Sequence, residues 1–267
     1  MQKITSHSNP IIKNLLKLQK ASERKNQNLF IIEGFREIRQ ALHSDYEITS
    51  LFVCPDIADK DKMKELAGYS IKNSIEIGAS VFKQVAYREN TDGLIATAIP
   101  KSLMLKDLKL SSNPLIIVLE SVEKPGNLGA IMRTAEAAKV DAIIINDSQT
   151  ELHNPNIIRS SLGCFFALQT VVCPVEDAIG WLKEKGINTY AAALSATKFY
   201  YECDYSQPAA LVMGSEAQGL SEKWLKICDD RIKIPMLGKH DSLNVSVSSA
   251  ILIYEVLRQR GFKKEPV

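Results

Sequence analysis

None of the five cysteines (Cys54, Cys164, Cys173, Cys203, Cys228) stands in a C-x-x-C pair, and the four histidines (His7, His43, His153, His240) are equally dispersed. Such spacing offers neither a disulfide framework nor a metal-ligand set, and an odd number of scattered thiols points to reduced cysteines in a cytoplasmic protein. No apolar run approaches the ~20 residues that span a bilayer. The amino terminus is polar (Met1-Gln2-Lys3-Ile4-Thr5-Ser6), so the chain is expected to be unanchored. No G-x-G-x-x-G follows a strand-like run, which leaves a Rossmann-type site unsupported. Internal repeats and low-complexity tracts are missing too. What remains is an ordinary globular composition: 267 residues, 45% apolar and 24% charged, enough for one large or two ordinary domains.

The net charge of +2 conceals an uneven distribution. Residues 1–113 hold 17 Lys/Arg against 13 Asp/Glu, and residues 1–42 alone hold 8 against 3. The excess comes from Lys3, Lys13, Lys17, Lys20, Arg24, Lys25, Arg36 and Arg39. A polar breaker cluster, Ser111-Ser112-Asn113-Pro114, ends a connecting stretch at 101–113 and separates two patterned regions, 1–100 and 114–267. Upstream, apolar residues at helical spacing occupy 9–20. Strand patterns fall at 29–33, 48–53 and 94–99, with helices at 35–42, 60–67 and 79–85, the alternation of a small α/β domain. Downstream, near-continuous apolar runs at 115–119, 142–145, 167–172, 189–194, 209–213 and 231–234 alternate with helices near 128–139, 176–185, 220–227 and 245–260. Strands apolar on both faces predict an α/β fold with a mostly parallel sheet and helices on both faces.

Three blocks carry the chemistry. The first, Asn127-Leu128-Gly129-Ala130-Ile131-Met132-Arg133, follows the strand-like Leu115–Glu120. The second, Leu211-Val212-Met213-Gly214-Ser215-Glu216-Ala217-Gln218-Gly219-Leu220, is a strand running into a glycine-bracketed turn. In the third, Ile234-Pro235-Met236-Leu237-Gly238 leads to Ser242-Leu243-Asn244-Val245-Ser246-Val247-Ser248, a strand end, a tight loop and a helix that Ser242 or Asn244 can cap. Glycine lets backbone approach a ligand closely, and Ile234, Met236 and Leu243 supply apolar walls. Taken singly, these are ordinary turn glycines and core aliphatics.

Taken together and in this order, the blocks resemble the signature motifs of the SpoU (TrmH-like) branch of the SPOUT RNA methyltransferases, over roughly residues 114–262. Residues 1–100, through Phe30–Gly34 and Asp92–Ala96, are similar to the L30e-like substrate-binding domain that precedes this catalytic domain. The resemblance implies a C-terminal trefoil knot. It also implies methyl transfer from S-adenosylmethionine to a ribose 2′-hydroxyl, in ribosomal RNA by preference, with a tRNA enzyme or a non-catalytic RNA-binding relative as alternatives. It places the cofactor against Gly214, Ile234 and Leu243, with Met236, Gly219 and Leu194 in the same pocket. The catalytic set it implies is Arg133, Asn127, Glu216, Ser242 and Asn244. A guanidinium stays protonated, so Arg133 suits phosphate binding and oxyanion stabilisation better than proton removal. In front of an RNA enzyme, Lys13, Lys17 and Arg24 become candidate phosphate contacts, as does Arg159 in Arg159-Ser160-Ser161-Leu162-Gly163. The family also dimerises through its C-terminal helix, which here mixes Ser246, Ser249 and Ala250 with larger apolar residues; a homodimer is expected, with no metal and no membrane partner. Ala217 departs from the family's usual glycine, at modest strain if that position needs positive φ.

Overall fold

The computed structural model describes residues 2–87, 91–148 and 150–262, which form two compact units. One comprises residues up to 101 together with 151–167, and the other residues 102–150 and 168 onward. The connecting stretch at 101–113 thus marks only one of the crossings. Residues 151–167, expected with the catalytic domain, pack with the N-terminal unit instead. Phe165 and Phe166 are buried there in an aromatic cluster with Phe30, Tyr46 and His153, a large apolar payload that no local pattern announces.

The elements of the first unit are β1 (Gln2–Ile4), α1 (Pro10–Lys17), α2 (Ala21–Gln27), β2 (Phe30–Glu33), α3 (Phe35–His43), β3 (Ile48–Val53), α4 (Lys60–Ala67), β4 (Ser74–Ile77), α5 (Ala79–Val85) and β5 (Leu94–Ala98). Its sheet has the order β1-β4-β3-β5-β2, parallel from β1 to β3 and antiparallel at β5 and β2. Ile12, Leu15, Phe52, Val81, Phe82 and Ile95 form its core. The helix expected over 9–20 stops at Lys17. A second helix then begins at Ala21 and ends at Asn28 in the left-handed region (φ 50°).

The second unit begins with β6 (Leu115–Glu120), α6 (Pro125–Ala137) and β7 (Ala142–Asn146). The chain then contributes α7 (Pro155–Ser160) and α8 (Cys164–Ala167) to the first unit. It returns as β8 (Thr170–Val172), α9 (Val175–Glu184), β9 (Asn188–Ala192), β10 (Lys198–Phe199), β11 (Ala209–Met213), α10 (Glu222–Ile227), β12 (Asp230–Lys233) and α11 (Val245–Gln259). The strand expected over 167–172 therefore starts only at Thr170, with Ala167 closing α8, because Phe165 and Phe166 draw the chain before it into the aromatic cluster. Seven strands in the order β10-β12-β9-β11-β6-β7-β8 form one wholly parallel sheet flanked by helices, as the two-sided hydrophobicity predicts. On one face Ile116, Val118, Ile144 and Val212 pack against Trp181, Leu182 and Trp224 of α9 and α10; α11 packs against β11 and α6. Open parallel sheets present ligand sites beyond their strands' carboxyl ends. Here those ends belong to β9, β11 and β12.

Candidate active site

A cavity of about 670 Å³ opens at those three ends, a size suited to a small-molecule ligand. After β9 come Ala193, Leu194 and Ser195; after β11 the turn 214–220; after β12 Ile234 and Met236; and the approach to α11 adds Ser242, Leu243 and Asn244. All six residues expected at the cofactor (Leu194, Gly214, Gly219, Ile234, Met236 and Leu243) line this one cavity.

The turn after β11 explains its glycines. Ser215 N donates to Gly219 O (3.2 Å), Gly219 N to Ser215 O (2.9 Å), and Gln218 N to Ser215 Oγ (3.1 Å). A Cβ on Gly214 would lie 2.2 Å from the Gly219 carbonyl carbon and 2.3 Å from its oxygen, so only glycine lets the loop close on itself. Gly219 has open space around it but a φ of +69°. Ala217 is absent from the positive-φ positions among the described residues, so its methyl costs no backbone strain. A compact turn of bare backbone, flanked by aliphatic walls and a few polar side chains, fits an amphipathic nucleoside cofactor.

At the cavity's edge three side chains from the three motif blocks meet. Asn127, in the first turn of α6, donates its amide to Glu216 Oε1. Asn244 Nδ2 lies 3.2 Å from both Glu216 Oε1 and Asn127 Oδ1. Asn244 is also the cap of α11: its Oδ1 accepts from Ser246 N (3.0 Å) and Ser246 Oγ (2.6 Å). Lys124, absent from the motif reading, places Nζ 3.0 Å from Glu216 Oε2. Its position directly before the Pro125 that starts α6 is the one signal that could have found it. With both carboxylate oxygens engaged, Glu216 ties together the starts of α6 and α11 and the turn after β11. Ser242 stays outside the cluster; it lines the cavity, is exposed, and turns Oγ toward Asp241 Oδ1 (3.3 Å).

Arg133 does not join these residues. It stands six residues after Asn127 on α6, about 240° around and ~9 Å along the helix. Its side chain is exposed and makes no hydrogen bond or ion pair with the described residues.

The RNA-contact candidates divide. Lys13 and Lys17 are exposed on α1, four residues apart. Arg24 is not available to phosphate: it is 3% exposed, with Nη1 donating to the carbonyls of Leu18 (2.9 Å) and Gln19 (2.8 Å) and Nε to Glu151 Oε2 (2.7 Å). Its burial is the physical cost of closing the α1–α2 turn, whose free carbonyls need a donor. Arg159 lies in the first unit and is exposed beside a shallow crevice lined by Glu33 and Tyr87. Among the described residues no cluster could hold a metal ion, and no helix is long and apolar enough to cross a membrane.

The fold has close counterparts. A solved RNA 2′-O ribose methyltransferase is 36% identical and superposes with a TM-score of 0.85, over 97% of this chain and 99% of that one. An AdoMet-bound rRNA methyltransferase from Sinorhizobium meliloti is 27% identical, with a TM-score of 0.87 over 96% and 97% of the two chains. Fold and site thus define an RNA methyltransferase built on a parallel α/β sheet. The model of the SpoU rRNA Methylase family matches residues 114–254, and the chain belongs to that family. Residues 9–96 match an MRM3-like substrate binding domain. Among the curated relatives, 23S rRNA (guanosine(2553)-2′-O)-methyltransferase RlmP of Bacillus subtilis is 29% identical over 96% of this chain and 99% of its own length. The fold class and the family expected from the three motifs are borne out.

Proposed function

We propose that this enzyme methylates a ribose 2′-hydroxyl in 23S ribosomal RNA and works as a homodimer. The observation that carries the reading is the Asn127–Glu216–Asn244 cluster at the edge of the cavity, because it joins all three motif blocks at one point. S-adenosylmethionine, when bound, supplies the electrophilic methyl group. Backbone at Gly214 and Gly219 and the side chains of Leu194, Ile234, Met236 and Leu243 would hold it. Asn127 and Asn244, pinned by Glu216 and Lys124, orient the ribose, and preorganised polar groups of this kind cost no rearrangement in the transition state. Lys13 and Lys17 contact the phosphates of the bound RNA. A ribosomal RNA substrate accords with a cytoplasmic location.

Arg133 acts from the partner subunit. It is exposed and stands six residues along α6 from Asn127, a placement that suits a residue working on another copy. As a permanent cation it neutralises the phosphate and the oxyanion forming at the 2′-oxygen. The surface for pairing is on α11, where Val247 (47% exposed) and Tyr254 (46%) form a stripe with the partly exposed Ala250 and Ile251. Ser249 is not part of it: it is buried, with Oγ donating to Val245 O (2.8 Å).

The test is methyl transfer from labelled cofactor to unmodified 23S RNA, followed by mixing of two inactive variants. Arg133→Ala should bind cofactor normally yet lose turnover by about 100-fold or more, and so should Asn127→Ala. Mixed dimers carry one site that lacks neither residue, so activity should return. Failure to complement would remove Arg133 from a role across the subunits, and absence of transfer by the wild type would remove the activity itself.

A further inference from the structure

Strand β10 is one edge of the seven-stranded sheet, and the chain leaves it through three consecutive aromatics, Phe199, Tyr200 and Tyr201. Buried aromatics elsewhere in this chain are absorbed into cores; these are not. The rings of Phe199 and Tyr201 stack, with centroids 5.5 Å apart and an interplanar angle of 13°. Tyr200 meets Tyr201 edge-on at 5.4 Å. The stack is held in place by a turn in which Phe199 N donates to Glu202 Oε2 (2.6 Å). Tyr201 is 50% exposed. Lys233 Nζ lies over the Phe199 ring, 5.3 Å from its centroid, and makes no ion pair with the described residues. Lys198, by contrast, spends its charge on Asp230 at 3.0 Å.

Lys233 connects this patch to the cofactor cavity. It pairs with Phe199 in the β10–β12 register, and Ile232, Lys233 and Ile234 all line the cavity. The stack therefore stands one strand spacing, about 4.8 Å, from the strand that forms the cavity wall.

We propose that Phe199, Tyr201 and Lys233 form a platform on which an unpaired base flanking the target nucleotide of the RNA stacks. The proposal rests on the reading that the enzyme methylates RNA. A ribose hydroxyl buried in a helix is hard to bring to a cavity, so the target belongs to a loop or bulge whose bases are splayed out. A neighbouring base freed from its own stack regains one on a protein ring, irrespective of its identity, while a nearby cation meets the backbone. An offset-stacked aromatic pair beside an unpaired lysine answers both needs. A second copy of the chain suits this patch less well: Lys198, Glu202 and Lys233 surround the rings with charge, and the apolar stripe for self-association lies on α11.

The experiment uses the full chain, S-adenosylmethionine and an RNA fragment that the wild type methylates. Tyr201→Ala should raise KM for RNA about 10-fold or more and weaken RNA binding in parallel, with kcat at saturating RNA and cofactor affinity within about twofold. Tyr201→Trp should retain RNA affinity, and its added fluorescence should be quenched by RNA; Trp181 and Trp224, both buried, provide the wild-type background. Lys233→Gln should lower the slope of log affinity against log salt by about one. A KM for RNA within twofold of wild type in Tyr201→Ala overturns the proposal, as does Tyr201→Trp emission that RNA binding leaves unchanged. Conversion of Tyr201→Ala to a monomer in sedimentation would assign the ring to a subunit contact and overturn it equally. Absence of methyl transfer by the wild type would instead overturn the enzymatic reading beneath it.

Discussion

Replacing Gly214 by alanine tests the cofactor site where the geometry is least forgiving. The new Cβ would lie 2.2–2.4 Å from the carbonyl carbon and oxygen of Gly219 and from Leu220 N, all of them backbone atoms. Side-chain rotation cannot relieve such a contact, so the turn must open by about 0.8 Å to reach the 3.0 Å that real Cβ atoms respect. Opening it breaks the paired Ser215–Gly219 bonds of 3.2 and 2.9 Å. At about 1 kcal/mol each, losing the two costs about 2 kcal/mol, or ~30-fold in affinity. Isothermal titration with S-adenosylmethionine should therefore show a Kd raised by about that factor, together with a melting temperature lowered by a few degrees, because Leu220 at the end of the turn belongs to the core. Gly219→Ala is the control: no atom lies within 4 Å, and the cost is only that of a φ of +69°, about 1 kcal/mol or ~5-fold. Ala217→Gly should change affinity by less than about twofold. Binding by Gly214→Ala within threefold of wild type, or a larger loss in Gly219→Ala than in Gly214→Ala, would refute the assignment of this turn to the cofactor.

Three further outcomes are expected. Charge reversal of both Lys13 and Lys17 to Glu should weaken RNA binding and reduce the salt slope by about two, measured by filter binding across a salt series. Ala250→Arg, on the exposed stripe of α11, should place an unpaired charge in the proposed subunit contact and yield monomers without activity, read by sedimentation and methyl transfer. His153 should make the protein lose stability in mild acid. Burial lowers its pKa from 6.5 to about 4, reinforced by the Arg24 cation; Glu151, 3.9 Å from Nδ1, is itself neutralised by Arg24 at 2.5 Å and does little to oppose this. With the folded value depressed, its contribution is complete above pH 6.5 and is lost as pH falls toward 4, on the order of 3 kcal/mol in all. Urea titrations of the wild type and His153→Phe over that range should diverge by this amount, and parallel pH profiles would show that His153 is not the group responsible.

What could be read from the chain, and what could not, follows the sequence distance over which each feature is caused. Ile48–Val53 and Ala209–Met213 are self-contained apolar runs, and both strands have the bounds the pattern predicts. Ser74–Ile77 has no such run and exists because it pairs with Gln2–Ile4, some seventy residues earlier, and with β3. Arg24 carries the same local signal as Lys13 and Lys17. What buries it is the pair of carbonyls at Leu18 and Gln19 together with Glu151, 127 positions away. The active-site candidates are intermediate. Asn127, Glu216 and Asn244 stand out by residue type and motif, but the bonds that join them bridge 89, 28 and 117 positions and appear only when the sheet brings three strand ends together. Arg133 is the instructive case. Its six-residue spacing from Asn127 already places the two on different faces of any helix, yet that acquires meaning only once the bonds of Asn127 define which face looks into the site. The proposal that Arg133 serves a second copy of the chain rests on that separation and on its exposure, and the mixing of the Arg133→Ala and Asn127→Ala variants decides it.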